Sequence, residues 1–72
     1  MNVAKHIRKA RKAKRMRPAD LAKLLGVSRS TVHAWEHGGP GPKLDDLPKI
    51  ASHLDVTVAD LVGENDEKAK VA

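Results

Sequence analysis

The sequence lacks cysteine, phenylalanine and tyrosine, and it contains a single tryptophan. The absence of cysteine excludes a disulfide framework and a cysteine-based zinc site. No apolar run exceeds two residues, whereas a membrane span needs about 20. The basic N-terminus is not followed by the apolar segment of a secretory signal, so we predict a cytoplasmic protein.

The chain is short and basic, and its composition favours helices. Its 72 residues predict one small domain, which buries only about 60% of its unfolded surface and has a marginal core. The net charge of +5 is unevenly distributed. Residues 1–43 hold eleven cations and two acids, for +9, whereas residues 44–72 hold three cations and seven acids, for −4. This asymmetry predicts a polyanionic partner, either nucleic acid or an anionic membrane; the alternative is a solvated basic helix without a partner.

The spacing of apolar residues is helical throughout and predicts an all-α fold of five helices. The predicted helices cover residues 2–15, 18–25, 28–37, 45–54 and 57–62. Because Pro48 would remove a backbone hydrogen bond, we expect the fourth helix to start near Asp45 or to have a distorted first turn. Residues 1–63 form the predicted domain, and the charged residues 64–72 are predicted to be a disordered tail.

Several residue types predict where the helices end. Pro18 suits a first helical position, Gly26 favours a left-handed helix end, and Ser28 and Thr57 are good N-caps. We expect buried apolar faces on the first, second and fourth helices. Their predicted members are Val3, Ile7 and Ala10; Leu21, Ala22, Leu24 and Leu25; and Leu44, Leu47, Ile50, Ala51 and Leu54.

The second and third helices carry the pattern of a helix-turn-helix. Ala22 is small where the two helices cross, Gly26 allows the sharp turn, and Val32 and Trp35 point inward. These residue types agree with the predicted helix ends and with the basic charge, so we interpret residues 18–37 as a helix-turn-helix motif.

The run from Ile7 to Gly63 resembles the lambda-repressor-like Cro/XRE family of helix-turn-helix proteins. The matching residues are Ile7-Arg8-x-x-Arg11, Leu21-Ala22, Leu24 to Val32, Trp35-Glu36-x-Gly38, Pro42, Leu54-x-Val56-Thr57 and Leu61. The resemblance implies a five-helix bundle that binds operator DNA as a two-fold dimer, with the third helix in the major groove. It also implies an ion pair between Arg11 and Glu36; the alternative is two unrelated surface charges. Asp55 departs from the family pattern, which has glycine there.

The exposed side of the third helix supplies the candidate DNA contacts. Helices of this type present their N-terminal residues to base edges, and arginine binds guanine in a bidentate way. We predict base contacts from Arg29, Ser30, His33 and Ala34, and phosphate contacts from Arg17, Thr31, His37 and Lys43.

Arg17, Arg29 and Lys43 precede or begin helices, where a cation is unfavourable in the free protein. We interpret Arg17 and Lys43 as phosphate clamps that flank the third helix, because helix starts bind phosphate. Replacing either with serine is then expected to stabilise the free protein. The alternative is chance placement in a basic chain.

We predict a bacterial or phage transcriptional regulator that binds a pseudo-palindromic operator at the nucleoid. A homodimer is expected to be weak, forming on DNA through Val58, Val62 and the loop at Pro40–Pro42. The main alternative is a DNA-binding antitoxin that neutralises a partner toxin. Membrane binding is disfavoured because the first helix has a narrow apolar face without tryptophan or phenylalanine.

Other kinds of site have little support in the sequence. His33 and His37 have a zinc-compatible spacing but no evident third ligand. Trp35 points inward, which disfavours base stacking, and the glycine-rich loop lacks the Lys-Ser/Thr of a nucleotide-binding motif. No nucleophile–base pair is evident. We therefore predict no metal, no cofactor and no enzymatic activity.

Overall fold

Five helices and no strand make up residues 3–63, the part of the chain that this computed structural model describes. They are α1 Val3–Ala13, α2 Pro18–Leu25, α3 Arg29–Glu36, α4 Asp46–Leu54 and α5 Val58–Val62. The predicted all-α architecture is confirmed. The predicted tail, residues 64–72, lies outside the described residues.

The core lies where all five helices meet. The six most deeply buried side chains are Ile7, Leu21, Val32, Ile50, Leu54 and Leu61. Trp35 packs with them and is only 6% exposed. In this bundle α2 and α1 pack on α3, whereas α5 packs on α1 and α4. The helix-turn-helix, α2 and α3, is therefore supported by α1, which packs on α3, and by α4, which packs on α2.

The turn between α2 and α3 forms as its residue types predict. Pro18 occupies the first position of α2, and Gly26 ends the helix with a φ of 72°. The Val27 N–H then donates to the Ala22 carbonyl at 3.0 Å, which satisfies one of the last carbonyls of α2. Ser28 accepts a hydrogen bond from the Thr31 N–H at 3.1 Å and so caps α3.

Two of the predicted buried leucines are exposed. Leu24 is 51% exposed because it lies to one side of the narrow buried face of α2. Leu44 is 84% exposed because it precedes α4 instead of belonging to it. Pro48 is the third residue of α4, where no intrahelical partner is available for an N–H. Proline therefore costs no hydrogen bond, which resolves the expected conflict.

Helix α1 ends at Ala13, two residues before its predicted end. The reason is Arg15, which adopts a left-handed φ of 56°, while the Met16 N–H donates to the Arg11 carbonyl at 3.1 Å. Asp55 ends α4 with the same φ of 56°, and its carboxylate pairs with Lys14. Two non-glycine left-handed helix ends thus lie beside each other. Within residues 3–63, no helix is long and apolar enough to cross a membrane.

Candidate nucleic-acid interface

The exposed side of α3 joins the start of α2 in one shallow concave surface. Val32 and Trp35 are buried, which turns the opposite side of α3 outward. Arg29, Ser30 and His33 are exposed there and line the surface together with Pro18. Three of the four predicted base-contacting residues therefore lie side by side.

A second concave surface lies along the other flank of α3. It runs between α3 and the segment that leads into α4, and its lining includes Ser30, Thr31 and Lys43. Ser30 belongs to both surfaces. Lys43 thus lies beside α3 on the flank opposite to the surface that Arg29 and His33 line.

Ala34, the fourth predicted base-contacting residue, is half-buried because the turn after α3 closes over it. The Gly39 N–H donates to the Ala34 carbonyl at 2.9 Å. A Cβ at position 39 would lie 3.0 Å from the Ala34 Cβ, so only glycine fits without a shift. The helical phase predicts that Ala34 points outward. It cannot predict that the chain after α3 turns back and covers this residue.

Arg17 is 82% exposed at the start of α2, and its charge is already compensated in the free protein. The backbone N–H of Arg17 donates to Asp20 Oδ2 at 2.9 Å, and its guanidinium Nε lies 3.4 Å from the same oxygen. These hydrogen bonds, the backbone one first, lower the pKa of the Asp20 carboxyl. Asp20 therefore offsets part of the unfavourable cation, and the gain in stability expected on replacing Arg17 is smaller than the sequence alone predicts.

Lys43 has a related backbone arrangement but a different side-chain environment. The backbone N–H of Lys43 donates to Asp46 Oδ2 at 3.1 Å, and this hydrogen bond anchors the turn before α4. Its ammonium group makes no ion pair within residues 3–63. Lys43 therefore keeps a cation available beside α3.

Arg11 and Glu36 join α1 to the end of α3 by a buried ion pair. Arg11 Nε donates to Oε2 at 2.7 Å and Nη2 donates to Oε1 at 2.8 Å. Arg11 Nη1 donates to the Met16 carbonyl at 2.6 Å, so the same guanidinium also holds the turn after α1. Hydrogen bonding to Glu36 raises the pKa of Arg11 despite its burial. This bidentate geometry fixes the orientation of α3.

His33 and His37 lie on successive turns with their rings stacked, the centroids 4.1 Å apart. His37 follows the last residue of α3, at the end farthest from Arg29. Among residues 3–63, no group of three or more potential metal ligands includes this pair. The two exposed rings extend the polar surface of α3 towards its C-terminus.

Comparison with known proteins adds three findings. The helix-turn-helix family model matches residues 7–61. The chain is 34% identical over 68 residues to the transcriptional repressor RstR of the cryptic phage CTXphi from Vibrio cholerae, covering 89% of this chain and 61% of the repressor. The chain thus spans less than two thirds of that relative. The crystal structure of the restriction-modification controller protein C.AhdI from Aeromonas hydrophila superposes with a TM-score of 0.77 at 32% identity, covering 83% of this chain and 91% of that one.

Proposed function

The chain belongs to the Cro/C1-type helix-turn-helix family, and from this membership we propose that it is a transcriptional regulator that binds double-stranded DNA. One observation carries the proposal. Glu36, the only acid of α3, is 3% exposed and is held by Arg11, so the exposed side of α3 carries no negative charge. Similarity to a phage transcriptional repressor and to a restriction-modification controller protein supports a regulatory role. The proposed role is binding in the cytoplasm, at the nucleoid, without a catalytic step.

In the proposed complex, α3 lies in the major groove with its N-terminal end towards the bases. Arg29 binds guanine O6 and N7, and Ser30 and His33 donate to neighbouring base edges. Ala34 faces a thymine methyl with the part of its side chain that the Gly39 turn leaves open. The exposure of Arg29, Ser30 and His33 on one surface supports this assignment.

The phosphate contacts are proposed to surround these base contacts. Lys43 approaches one strand from the α4 side of α3, and Arg17 approaches from the start of α2. Thr31 and His37 add donors along the flank and at the end of α3. Arg17 must give up part of its contact with Asp20 to bind phosphate, whereas Lys43 has no such partner among the described residues. Lys43 is therefore the stronger clamp of the two.

A two-fold dimer is proposed to place two α3 helices one helical turn of DNA apart, at about 34 Å, on a pseudo-palindromic operator. On α5, Val58 is 37% exposed and Val62 is half-buried. These residues offer a small apolar contact to a second copy, close to the Pro40–Pro42 loop in the proposed arrangement. A contact of this size gives a weak dimer that DNA stabilises.

The proposed function is tested by selecting bound duplexes from a random DNA pool at two salt concentrations. We expect a two-fold symmetric consensus and an affinity that falls steeply with salt. The absence of any consensus at low salt would contradict a sequence-specific regulator.

Two variants then separate base contacts from phosphate contacts on the selected site. Arg29→Ala is expected to cost about 1–3 kcal/mol at one base position, whereas Lys43→Ala weakens all sequences alike and lowers the salt slope by about 1. Lys49→Ala, which removes an exposed lysine from α4, is the matched control and should leave both properties unchanged. A uniform loss with Arg29→Ala would refute its role in base recognition.

A further inference from the structure

Among residues 3–63, the largest group of cations without an ion pair lies on α1, away from the interface proposed above. Lys5, Lys9 and Lys12 are exposed and Arg8 is half-buried, and together these four residues line one shallow concave surface. We call them the α1 basic stripe. Within residues 3–63 none of the four forms an ion pair, and α1 itself contains no acid.

The α1 basic stripe faces away from α3. Ile7 and Arg11 mark the side of α1 that packs inward, and Arg11 binds Glu36 of α3. At 3.6 residues per turn, the four cations lie about 100–200° around the axis from Ile7. The exposed face of α3 is the side opposite to the buried Val32 and Trp35, and it shares no lining residue with the stripe. Because α1 and α3 pack on each other through their inward sides, a duplex bound along the exposed face of α3 leaves the stripe open to a second duplex.

The like charges of the stripe repel one another, and no ion pair among the described residues offsets this repulsion. Lys5 and Lys9, and likewise Arg8 and Lys12, are like charges four residues apart on one helix, a spacing that destabilises it. A polyanion bound along the stripe would remove this repulsion. From Lys5 to Lys12 the stripe is about 10 Å long, which matches roughly three phosphates at 3.4 Å per strand position.

The chemistry of the stripe favours a polyphosphate over a protein or a membrane. A protein interface has an apolar centre, and an amphipathic membrane helix needs an apolar face beside its cations. The exposed large apolar residues within residues 3–63 are Leu24, Leu44 and Val58, and none lies on α1. Binding to phosphates needs only the charges.

We propose that the α1 basic stripe binds a second segment of double-stranded DNA, so that one molecule joins two duplex segments through opposite sides. This proposal extends the DNA binding inferred for α3 and uses different residues. It predicts that the protein bridges DNA, an activity separate from sequence recognition.

The test uses a bead-tethered duplex that is loaded with protein, washed, and offered a second, fluorescent duplex. The stripe variant is Lys5→Gln/Lys12→Gln, which spares Lys9 because Lys9 also lines the groove against α5. The charge-matched control is Lys23→Gln/Lys49→Gln, which changes two exposed lysines on other helices. The third variant, Arg29→Ala/Lys43→Ala, impairs the α3 face. Circular dichroism checks that all four proteins are folded.

Wild type and control are expected to capture the second duplex, whereas both the stripe and α3 variants lose capture and still bind a single duplex through the remaining face. Losing two phosphate contacts predicts about 60-fold weaker binding of the second duplex at 0.1 M salt and a salt slope lower by about 1.8. Capture by the stripe variant at the wild-type level would overturn the proposal. That result is expected if a dimer bridges the two duplexes through its two α3 faces. Displacement of the second duplex by poly-glutamate more readily than by duplex at equal charge would also overturn the proposal. Full capture by the α3 variant would refute the α3 interface and, with it, bridging through α3 and the stripe; a loss of capture by the stripe variant in the same assay would still assign DNA binding to α1.

Discussion

Replacing Glu36 with glutamine tests the reasoning about the buried ion pair. The side chains of Arg11 and Glu36 are 8% and 1% exposed, so solvent does not replace a lost partner. The glutamine oxygen can accept one hydrogen bond, but its NH₂ group then faces an N–H of Arg11, donor against donor. Breaking a buried pair in this way costs about 3–5 kcal/mol. A folded domain of this length has roughly 4–11 kcal/mol in total, so Glu36→Gln removes a large part of its stability.

Urea unfolding, followed by circular dichroism and by the fluorescence of the buried Trp35, measures this cost. With a slope of about 1 kcal/mol per molar urea, the midpoint is expected to fall by roughly 3 M or more. Lys14→Gln breaks the exposed pair with Asp55 and serves as the control. The side chains of Lys14 and Asp55 are 38% and 74% exposed, so losing this pair is expected to cost less than about 1 kcal/mol of unfolding free energy. A cost below about 1 kcal/mol for Glu36→Gln would refute the reasoning.

The double variant Arg11→Met/Glu36→Leu separates the value of the pair from the cost of leaving one charge unpaired. Replacement of both partners by apolar residues of similar volume is often neutral. Here the Met16 carbonyl also loses its hydrogen bond from Arg11 Nη1, and an unsatisfied acceptor costs about 1–3 kcal/mol. We therefore expect the double variant to be more stable than Glu36→Gln. If the loss of unfolding free energy in the double variant equals the sum of the losses from Arg11→Met alone and Glu36→Leu alone, the two residues do not act as a pair.

Three further predictions concern the free protein. Arg15→Gly is expected to raise the free energy of unfolding by about 0.5–1 kcal/mol, because glycine adopts the left-handed φ of 56° without strain; an unchanged thermal midpoint would contradict this. Gly39→Ala is expected to lower the unfolding free energy by about 1–3 kcal/mol through overpacking against α3, whereas Gly41→Ala, whose Cβ meets no atom within 4 Å, is the control and should be close to neutral. The lowered pKa of Asp20 contributes stability that is present above the unfolded pKa of about 3.9 and is lost as the pH falls through the folded pKa. Asp20→Asn should therefore flatten the dependence of stability on pH below about 4, and an unaltered acid profile would exclude this contribution.

Local rules predicted the helix ends where a residue type has one dominant use. Pro18, Gly26 and Ser28 each have a steric or hydrogen-bonding reason to occupy a helix end, and all three do so in the structure. The predictions that Leu24 and Leu44 are buried were wrong for two reasons. The helical phase gives the direction of the Leu24 side chain but not the width of the buried face of α2, and it says nothing about Leu44, which precedes α4.

The candidate site was less predictable where it depends on contacts between segments. The turn at Gly39 that covers part of Ala34 has no periodic pattern, and the glycine pair in the sequence indicated only a loop. The contact between Arg17 and Asp20 was visible in the sequence, because an acid stands three residues after Arg17, in the first turn of α2. Charge at a helix start therefore has to be summed over the cation and the acids of the first turn together.

The five helices have 11, 8, 8, 9 and 5 residues. An isolated helix shorter than about 12–15 residues is marginal in water. None of these helices can therefore persist once the others have separated, and the chain between Val3 and Gly63 is expected to unfold as one cooperative unit. For the proposed DNA-binding surface this means that α3 is either fully formed or absent. The temperature at which DNA affinity disappears should then coincide with the loss of the whole fold.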